Sequence, residues 1–247
     1  DLDLYARHLV LSERAGGLQR LRVVAIESGE AHEVAFDEPV YTISTGPNRV
    51  WDTAVLRFSY QSLVTPPRVV DYQMDSRSST TRKQLEVPNY EASQYESERF
   101  SIVARDGVAV PVSLVRRRDT PRDGSAPMLL QGYGSYGASY PIAFNSSRMS
   151  LVDRGLVVAF AHVRGGGELG KPWHDAGRMT NKMNTFTDFI DVAEALCDRG
   201  YTSSDRLLIS GRSAGGLLMG AVTNLRPDLF KAVVAGVPFV DVINTML

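Results

Sequence analysis

Five residues near the end of the chain, Gly211-Arg212-Ser213-Ala214-Gly215, constrain its fold more than any other segment. They match the pattern G-x-S-x-G, which is weak on its own because short glycine patterns also arise by chance. The context is more specific, because the apolar run at 207–210 predicts a buried strand before the pattern and 214–225 predicts an apolar helix after it. A serine between a strand end and a helix start lies on a sharp, strained turn with its hydroxyl exposed. Ser213 is therefore the candidate nucleophile.

The residues around Ser213 suit this role. The flanking positions press against neighbouring backbone, so they must be glycine or very small. The helix that follows points its N-terminal N–H groups and the positive end of its dipole toward the site. The backbone N–H of Ala214 is therefore predicted to stabilise a tetrahedral oxyanion.

A second glycine-rich segment, Gln131 to Gly137, follows another predicted buried strand. Its glycines match the dinucleotide fingerprint G-x-G-x-x-G, but that fold requires a helix to begin at once, and Pro141 with polar loop residues follows instead. The next strand also lacks the acidic residue expected at its end. We interpret the segment as a loop close to the nucleophile, in which Tyr133 offers its hydroxyl as the second oxyanion donor.

A third glycine-rich segment, His162 to Gly170, follows the next predicted strand and precedes Trp173 and His174. It could cradle an anion, but no P-loop pair of lysine and hydroxyl follows its glycines, and we favour a tight loop that packs near the site. His162 and His174 are not spaced as a helical metal pair, and they precede the nucleophile, whereas the base follows it in this type of fold. Both histidines are predicted to be structural, and the sequence implies no metal and no cofactor.

The organisation of the chain changes near Phe100. Before it, short strand patterns alternate with turns, and Arg22-Val23-Val24 recurs as Arg68-Val69-Val70, a spacing of about 46 residues that is typical of a β-propeller blade. After it, strand and helix patterns alternate, which predicts an α/β fold with a mostly parallel sheet. We assign 1–86 to the last blades of a propeller, 87–99 to a linker, and 100–247 to the second domain.

Several individual elements follow from the same patterns. The residues at 75–83 are predicted to be polar turns. The predicted elements of the second domain are a hairpin around Arg105-Asp106-Gly107, strands at 128–131, 156–163, 207–209 and 232–237, and helices at 147–153, 185–199 and 214–225.

Composition excludes several classes of protein. The net charge of −1 favours neither nucleic acid nor an anionic membrane as a partner, and no run of about 18 apolar residues predicts a membrane span. Cys197 is the single cysteine, so no internal disulfide can form. The N-terminus lacks the basic start and apolar centre of a signal peptide, so the expected location is cytoplasmic. Both ends resemble interruptions of a longer protein.

Five motifs in this order resemble the prolyl oligopeptidase family of serine peptidases. They are QGYGSYGAS (131–139), LVDRGLVVAFAHVRGGGELG (151–170), NTFTDF (184–189), GRSAGGLLMG (211–220) and VPFVDVINTML (237–247). Within the family, these motifs are most similar to those of the oligopeptidase B branch. In addition, 101–115 resembles the start of the family's hydrolase domain, and 1–86 resembles its last propeller blades.

The resemblance implies an α/β-hydrolase domain, incomplete here, behind a propeller that admits only short peptides. It implies that Ser213 forms an acyl-enzyme, that Tyr133 and Ala214 donate to the oxyanion, and that cleavage follows Arg or Lys. Family members use Ser, then Asp, then His along the chain, but none of the 34 residues after Ser213 is His, and Asp228 and Asp241 come too early to be the acid. We therefore expect the 247-residue chain alone to be inactive.

Three alternatives remain open at this level: a prolyl-specific oligopeptidase, a carboxylesterase on the same fold, and a propeller interaction module with an inactive hydrolase domain. The propeller-like segment argues against the esterase. The intact pattern around Ser213 argues against the inactive domain.

Overall fold

The computed structural model describes residues 1–241 and 243–244. They divide into two units, of which the first comprises 1–92 with 141–146 and the second comprises 93–140 with the residues from 147 onward. The end of the motif at 237–247 is only partly covered, because positions 242 and 245–247 lie outside the described residues.

The first unit consists of two four-stranded antiparallel sheets, ordered β1-β2-β3-β4 and β5-β6-β7-β8. Their strands are β1 (Leu2–Leu4), β2 (His8–Ala15), β3 (Leu18–Ala25), β4 (Ala31–Glu33), β5 (Tyr41–Thr45), β6 (Val55–Ser62), β7 (Arg68–Gln73) and β8 (Ser78–Gln84). Four-stranded antiparallel sheets are the blades of β-propellers. Arg22 lies in the third strand of one sheet and Arg68 in the third strand of the other, so the repeat in the sequence corresponds to a repeat of blades.

The prediction of polar turns at 75–83 is wrong for most of its length. Ser78–Gln84 forms β8, whose seven residues are all exposed. In the described part of the chain this strand lies at the edge of its sheet and pairs only with β7. Because both of its faces meet solvent, it needs no alternation of apolar and polar residues, and the pattern that identifies a half-buried strand is missing.

The second unit is built on a six-stranded sheet ordered β14-β13-β11-β12-β10-β9. Its strands are β9 (Tyr95–Val103), β10 (Ala109–Arg117), β11 (Met128–Gly132), β12 (Val157–Ala161), β13 (Leu207–Arg212) and β14 (Ala232–Gly236). Its helices are α1 (Ser146–Val152), α2 (Lys171–Asp175), α3 (Met183–Asp198) and α4 (Ala214–Leu225). The strands from β14 to β12 pair in parallel, and β10 and β9 continue the sheet antiparallel, which confirms an α/β fold with a mostly parallel sheet.

The structure places residues 95–99, the end of the predicted linker, in strand β9. Tyr95 to Arg99 pair with Arg117 to Ser113 of β10, and the Glu98 carboxylate accepts a hydrogen bond from Arg116 Nε at 3.1 Å. Opposite charges across the strand pair stabilise this part of the sheet. A polar segment without apolar periodicity can therefore be a strand, which the sequence pattern did not indicate.

One apolar core fills the space between the sheet and its helices. No helix in the described part of the chain is long and apolar enough to span a bilayer. Because β11, β12, β13 and β14 run parallel, their carboxyl ends lie at one edge of the sheet. That edge is where ligands bind in parallel α/β sheets, and the three glycine-rich segments all leave the sheet there.

Candidate active site

Ser213 lies at the turn between β13 and α4, with its residue surface exposed. Its backbone has φ 58° and ψ −117°, a left-handed conformation that is strained for any residue with a side chain. The Ser213 N–H donates to Gly236 O at 3.0 Å, and the Ser213 carbonyl accepts from the N–H of Gly216 at 2.8 Å. The structure therefore has the strained strand-to-helix turn on which a nucleophilic serine is presented.

The glycines around Ser213 are required by close backbone contacts. A Cβ at Gly211 would lie 2.2 Å from Gly215 O, and a Cβ at Gly215 would lie 2.8 Å from Gly132 O. A Cβ at Gly216 would lie 2.5 Å from the Cα of Pro238. The turn is thus compressed between α4, the end of β11 and the segment after β14, as the G-x-S-x-G pattern predicts.

Tyr133 and Ala214 lie beside this turn. The Tyr133 Cδ2 atom is 3.4 Å from where a Cβ at Gly215 would be, so the ring contacts the first turn of α4. Ala214 is the first residue of α4, and the first N–H groups of a helix have no acceptor within it. Both residues therefore belong to the same small region as Ser213.

The loop after β11 and the loop after β12 pack backbone against backbone. A Cβ at Gly165 would lie 2.2 Å from Gly134 O, and a Cβ at Gly167 would lie 2.0 Å from Gly137 O. The Gly137 N–H also donates to Gly165 O at 3.0 Å. The glycines of His162 to Gly170 thus allow close packing near the site, which is the structural role that the sequence favoured.

The position of the next helix excludes a dinucleotide-binding role for the glycines at 132–137. Among the described residues, the helix that follows Gly132-x-Gly134-x-x-Gly137 is α1, which begins only at Ser146. A dinucleotide loop needs a helix N-terminus directly after its glycines to receive the pyrophosphate.

Two models of one family match successive parts of the chain. The N-terminal β-propeller domain of prolyl oligopeptidase matches residues 1–85, and the prolyl oligopeptidase family itself matches residues 142–247. The chain belongs to the prolyl oligopeptidase family. Its two four-stranded sheets are accordingly propeller blades, and its six-stranded sheet belongs to the α/β-hydrolase domain.

Individual relatives and solved structures support the assignment to the prolyl oligopeptidase family. The chain is 47% identical to dipeptidyl aminopeptidase BI of Pseudoxanthomonas mexicana, covering 99% of the chain and 34% of the relative. It is 40% identical to protease 2 of Moraxella lacunata, with coverage of 97% and 34%. The structure of oligopeptidase B from Leishmania major superposes with a TM-score of 0.88 at 38% identity, covering all of this chain and 36% of that one.

Oligopeptidase B from Trypanosoma brucei, in a closed form with covalently bound antipain, also superposes with a TM-score of 0.88, at 41% identity. The superposition covers all of this chain and 36% of the Trypanosoma brucei chain. The chain thus spans about a third of the length of these members of the prolyl oligopeptidase family.

His162, which the sequence assigned a structural role, is fully enclosed. Its Nε2 lies 2.9 Å from Ser113 Oγ, and its Nδ1 lies 3.3 Å from Glu168 Oε1. The order serine, histidine, carboxylate is that of a catalytic triad, but the three residues are 0%, 2% and 4% exposed. A nucleophile must reach its substrate, so this group serves the interior of the hydrolase domain.

Glu168 is the acidic member of this group. Burial alone would raise the pKa of its carboxyl, but the hydrogen bond and charge of His162, with the Tyr140 N–H at 2.8 Å, hold the pKa below its usual value. His174 Nδ1 donates to Gly165 O at 2.9 Å and packs against Gly137. Both histidines therefore hold the glycine-rich loops.

Helix α3 supports the site, a role that was not predicted from the sequence. Thr185 Oγ1 donates to Arg164 O at 2.7 Å, and the Asp188 carboxylate accepts from both the backbone N–H and the guanidinium of Arg164. Lys182, at the start of the helix, donates to Gly134 O at 2.6 Å. The signal was present as the i, i+3 spacing of Thr185 and Asp188, which places both on one face of the helix.

Proposed function

We propose that the full-length protein containing this chain is a serine-type oligopeptidase that hydrolyses short peptides after Arg or Lys. The observation that carries the proposal is the backbone of Ser213, held at φ 58° between a parallel strand and a helix. The similarity to oligopeptidase B structures at 38% and 41% identity supports the choice of basic residues. The propeller blades support restriction to short peptides, because members of this family screen their site with that domain.

In the proposed mechanism the Ser213 hydroxyl attacks the peptide carbonyl and gives up its proton to a histidine base. The tetrahedral oxyanion accepts hydrogen bonds from the Ala214 N–H and the Tyr133 hydroxyl. The histidine then gives this proton to the amine, which leaves, and water hydrolyses the acyl-enzyme and restores the Ser213 hydroxyl. Loss of one oxyanion donor lowers kcat by about 10²- to 10³-fold in serine peptidases, and we expect that effect from Tyr133→Phe.

The test compares hydrolysis of Arg-, Lys- and Pro-terminated reporter amides by the full-length protein. We expect cleavage after Arg and Lys that is lost in Ser213→Ala. Cleavage after Pro would assign the protein to the prolyl-specific branch, which the 37% identity to the prolyl endopeptidase of Elizabethkingia miricola keeps as an alternative. An inactive wild-type protein with intact folding would contradict the proposal.

A second candidate is removal of N-terminal dipeptides. It is favoured by the 47% identity to a relative named dipeptidyl aminopeptidase BI. Reporters with free and with acetylated N-termini separate the two activities, because a dipeptidyl aminopeptidase requires the free amine and an oligopeptidase cleaves both. Cleavage of the acetylated peptides supports the first proposal.

We extend the proposal to the 247-residue chain by itself, which we expect to be inactive. No histidine follows Ser213 within it, so the base that activates the serine is missing. Turnover by this chain that disappears in its Ser213→Ala variant would refute this expectation.

A further inference from the structure

Lys182 occupies a position that helix stability does not explain. It lies between a 3-10 turn at Met179–Asn181 and the first residue of α3. A positive charge at a helix N-terminus faces the positive end of the helix dipole, which is unfavourable. The side chain is also largely removed from water, and that burial lowers the pKa of its amine to about 8. Because both the helix dipole and the burial disfavour the charged amine here, other interactions of Lys182 must compensate for this cost in free energy.

The side chain of Lys182 contacts the loop at 133–135, which carries Tyr133. Its Nζ donates to Gly134 O at 2.6 Å and contacts Ser135 Oγ at 2.9 Å. No carboxylate forms an ion pair with it among the residues that the structure describes. The two acceptors directly follow Tyr133 in the chain. The hydrogen bonds of the half-buried ammonium thus go to the loop that carries Tyr133.

We propose that Lys182 is a positioning residue for oxyanion stabilisation: it holds the loop at 133–135 so that the Tyr133 hydroxyl stays aimed at the reacting carbonyl oxygen. This inference rests on the proposed function. Lys182 acts through Tyr133 and does not itself touch the substrate.

The opposite side of the loop supports this role. Gly134 has φ +65°, and a Cβ there would lie 2.4 Å from Thr185 Cγ2 and 2.7 Å from Val163 Cγ2. Close packing therefore holds one side of the Gly134 backbone, and the Lys182 ammonium holds its carbonyl. Removing the ammonium frees that carbonyl, and the neighbouring peptide can then rotate. A misplacement of about 1 Å in catalytic geometry can cost up to 10²-fold in rate.

The test measures kcat and KM for the reporter amides with the full-length protein and its Lys182→Met variant. Methionine keeps an unbranched apolar stem and removes the donor and the charge. We expect kcat to fall about ten- to a hundredfold, the range of a lost charge-assisted hydrogen bond, with KM within about threefold of wild type. Lys171→Met is the matched control, because Lys171 belongs to the neighbouring helix with its side chain 76% exposed, and it should leave both constants unchanged.

A double-mutant cycle separates positioning from a general loss of stability. If Lys182 acts through Tyr133, then Lys182→Met should lower kcat by less than about threefold in a Tyr133→Phe background. Ser135→Ala serves as a milder variant that removes one of the two acceptors, and we expect a smaller fall in kcat of the same sign. It keeps the inference testable if Lys182→Met does not fold.

The outcomes are distinct. An active wild type with unchanged kcat in Lys182→Met, or effects that multiply fully in the double variant, would overturn the inference alone. A folded wild type that cleaves none of the reporters would overturn the proposed function, and this inference with it.

Discussion

At the scale of single residues, the position of the Ser213 hydroxyl is set by the backbone. Backbone conformations such as φ 58° with ψ −117° cost about 1–3 kcal/mol and persist only when the surroundings determine them. Four backbone hydrogen bonds do so here. The Ser213 N–H donates to Gly236 O, and its carbonyl accepts from the N–H groups of Gly216, Leu217 and Phe239. The strain at Ser213 is thus offset by the strand and helix on either side.

Gly216→Ala tests this arrangement. Its Cβ would lie 2.5 Å from the Cα of Pro238, so the start of α4 must move away from the segment after β14. Forced overpacking costs about 1–3 kcal/mol, and the shift carries Ser213 and Ala214 with it. We expect a lower melting temperature of the full-length protein and a loss of reporter hydrolysis of at least about a hundredfold.

Gly220→Ala is the control one turn later in the same helix. Among the described residues its Cβ would meet only Val240 Cγ1, at 3.3 Å, which is the end of a side chain that can move slightly. Alanine is favoured over glycine in a helix interior by about 1 kcal/mol, so we expect equal or higher stability and unchanged hydrolysis. Equal behaviour of the two variants would show that the contact with Pro238 does not fix the turn.

At the scale of elements, helix α3 is the support on which both glycine-rich loops rest. Lys182 holds the loop after β11, while Thr185 and Asp188 hold the loop after β12. The Asp188 carboxylate raises the pKa of the Arg164 guanidinium through a buried hydrogen-bonded pair, and Arg164 also donates to Asp106 at 2.6 Å. One helix, one loop and the turn of the β9–β10 hairpin are therefore joined through Arg164.

Asp188→Asn should loosen this connection. It keeps the shape of the side chain but leaves Arg164, which is 5% exposed, with Asp106 as its one counter-charge among the residues described. Breaking a buried ion pair by removing one partner costs about 3–5 kcal/mol, and we expect the lower end because Asp106 remains. Hydrogen–deuterium exchange in the full-length protein should rise in peptides covering 131–139 and 162–170.

The control for Asp188 is Asp175→Asn. Asp175 pairs with Lys171 at the surface of α2, where salt bridges contribute little, so exchange in the two loops should not change. Unchanged exchange in Asp188→Asn as well would mean that close packing of the glycines holds the loops without the ion pair.

The elements differ in how well the sequence predicts them. Helix α4 was predicted at 214–225 and is observed at Ala214–Leu225, because its apolar residues and the glycines before it are both local signals. Strand β8 was missed because its stability comes from pairing with β7 and its residues are all exposed. Helix α2 was missed because it has only five residues.

The candidate site shows the same division. Ser213 follows from a local pattern in which the turn, the strand and the helix are all encoded within about twenty residues. Lys182 contacts Gly134, 48 residues earlier in the chain. A single lysine before a helix has no periodicity and no motif, so only the folded structure reveals what its ammonium binds. Contacts between distant loops are the part of the site that the sequence leaves open.

At the scale of the whole molecule, the sequence predicted two units from a change of pattern. The recurrence of Arg-Val-Val after 46 residues indicated propeller blades, because each blade repeats the same order of strands. In the structure Arg22 and Arg68 lie in equivalent strands of the two sheets. Strand β9 begins at Tyr95, within the segment predicted to be a linker. Polar strands held by cross-strand charges do not show the apolar alternation on which such boundaries depend.

Within the part of the chain that the structure describes, strand β14 forms one edge of the hydrolase sheet and exposes apolar residues. Val233 and Val234 are 37% and 56% exposed, although strands of parallel sheets are usually covered on both faces. An exposed apolar edge strand is a template for pairing with another chain. We therefore expect the 247-residue chain, expressed by itself, to self-associate, and light scattering should detect this at micromolar concentration.

Val234→Lys should reduce that association, because a lysine on an edge strand opposes pairing with a second copy. Val103→Lys is the matched control, since Val103 lies in β9 at the other edge of the same sheet and is 70% exposed. If β14 drives association, the first substitution lowers the scattering and the second does not. A monomeric wild-type chain, or equal effects of the two lysines, would place the cause of association elsewhere than β14.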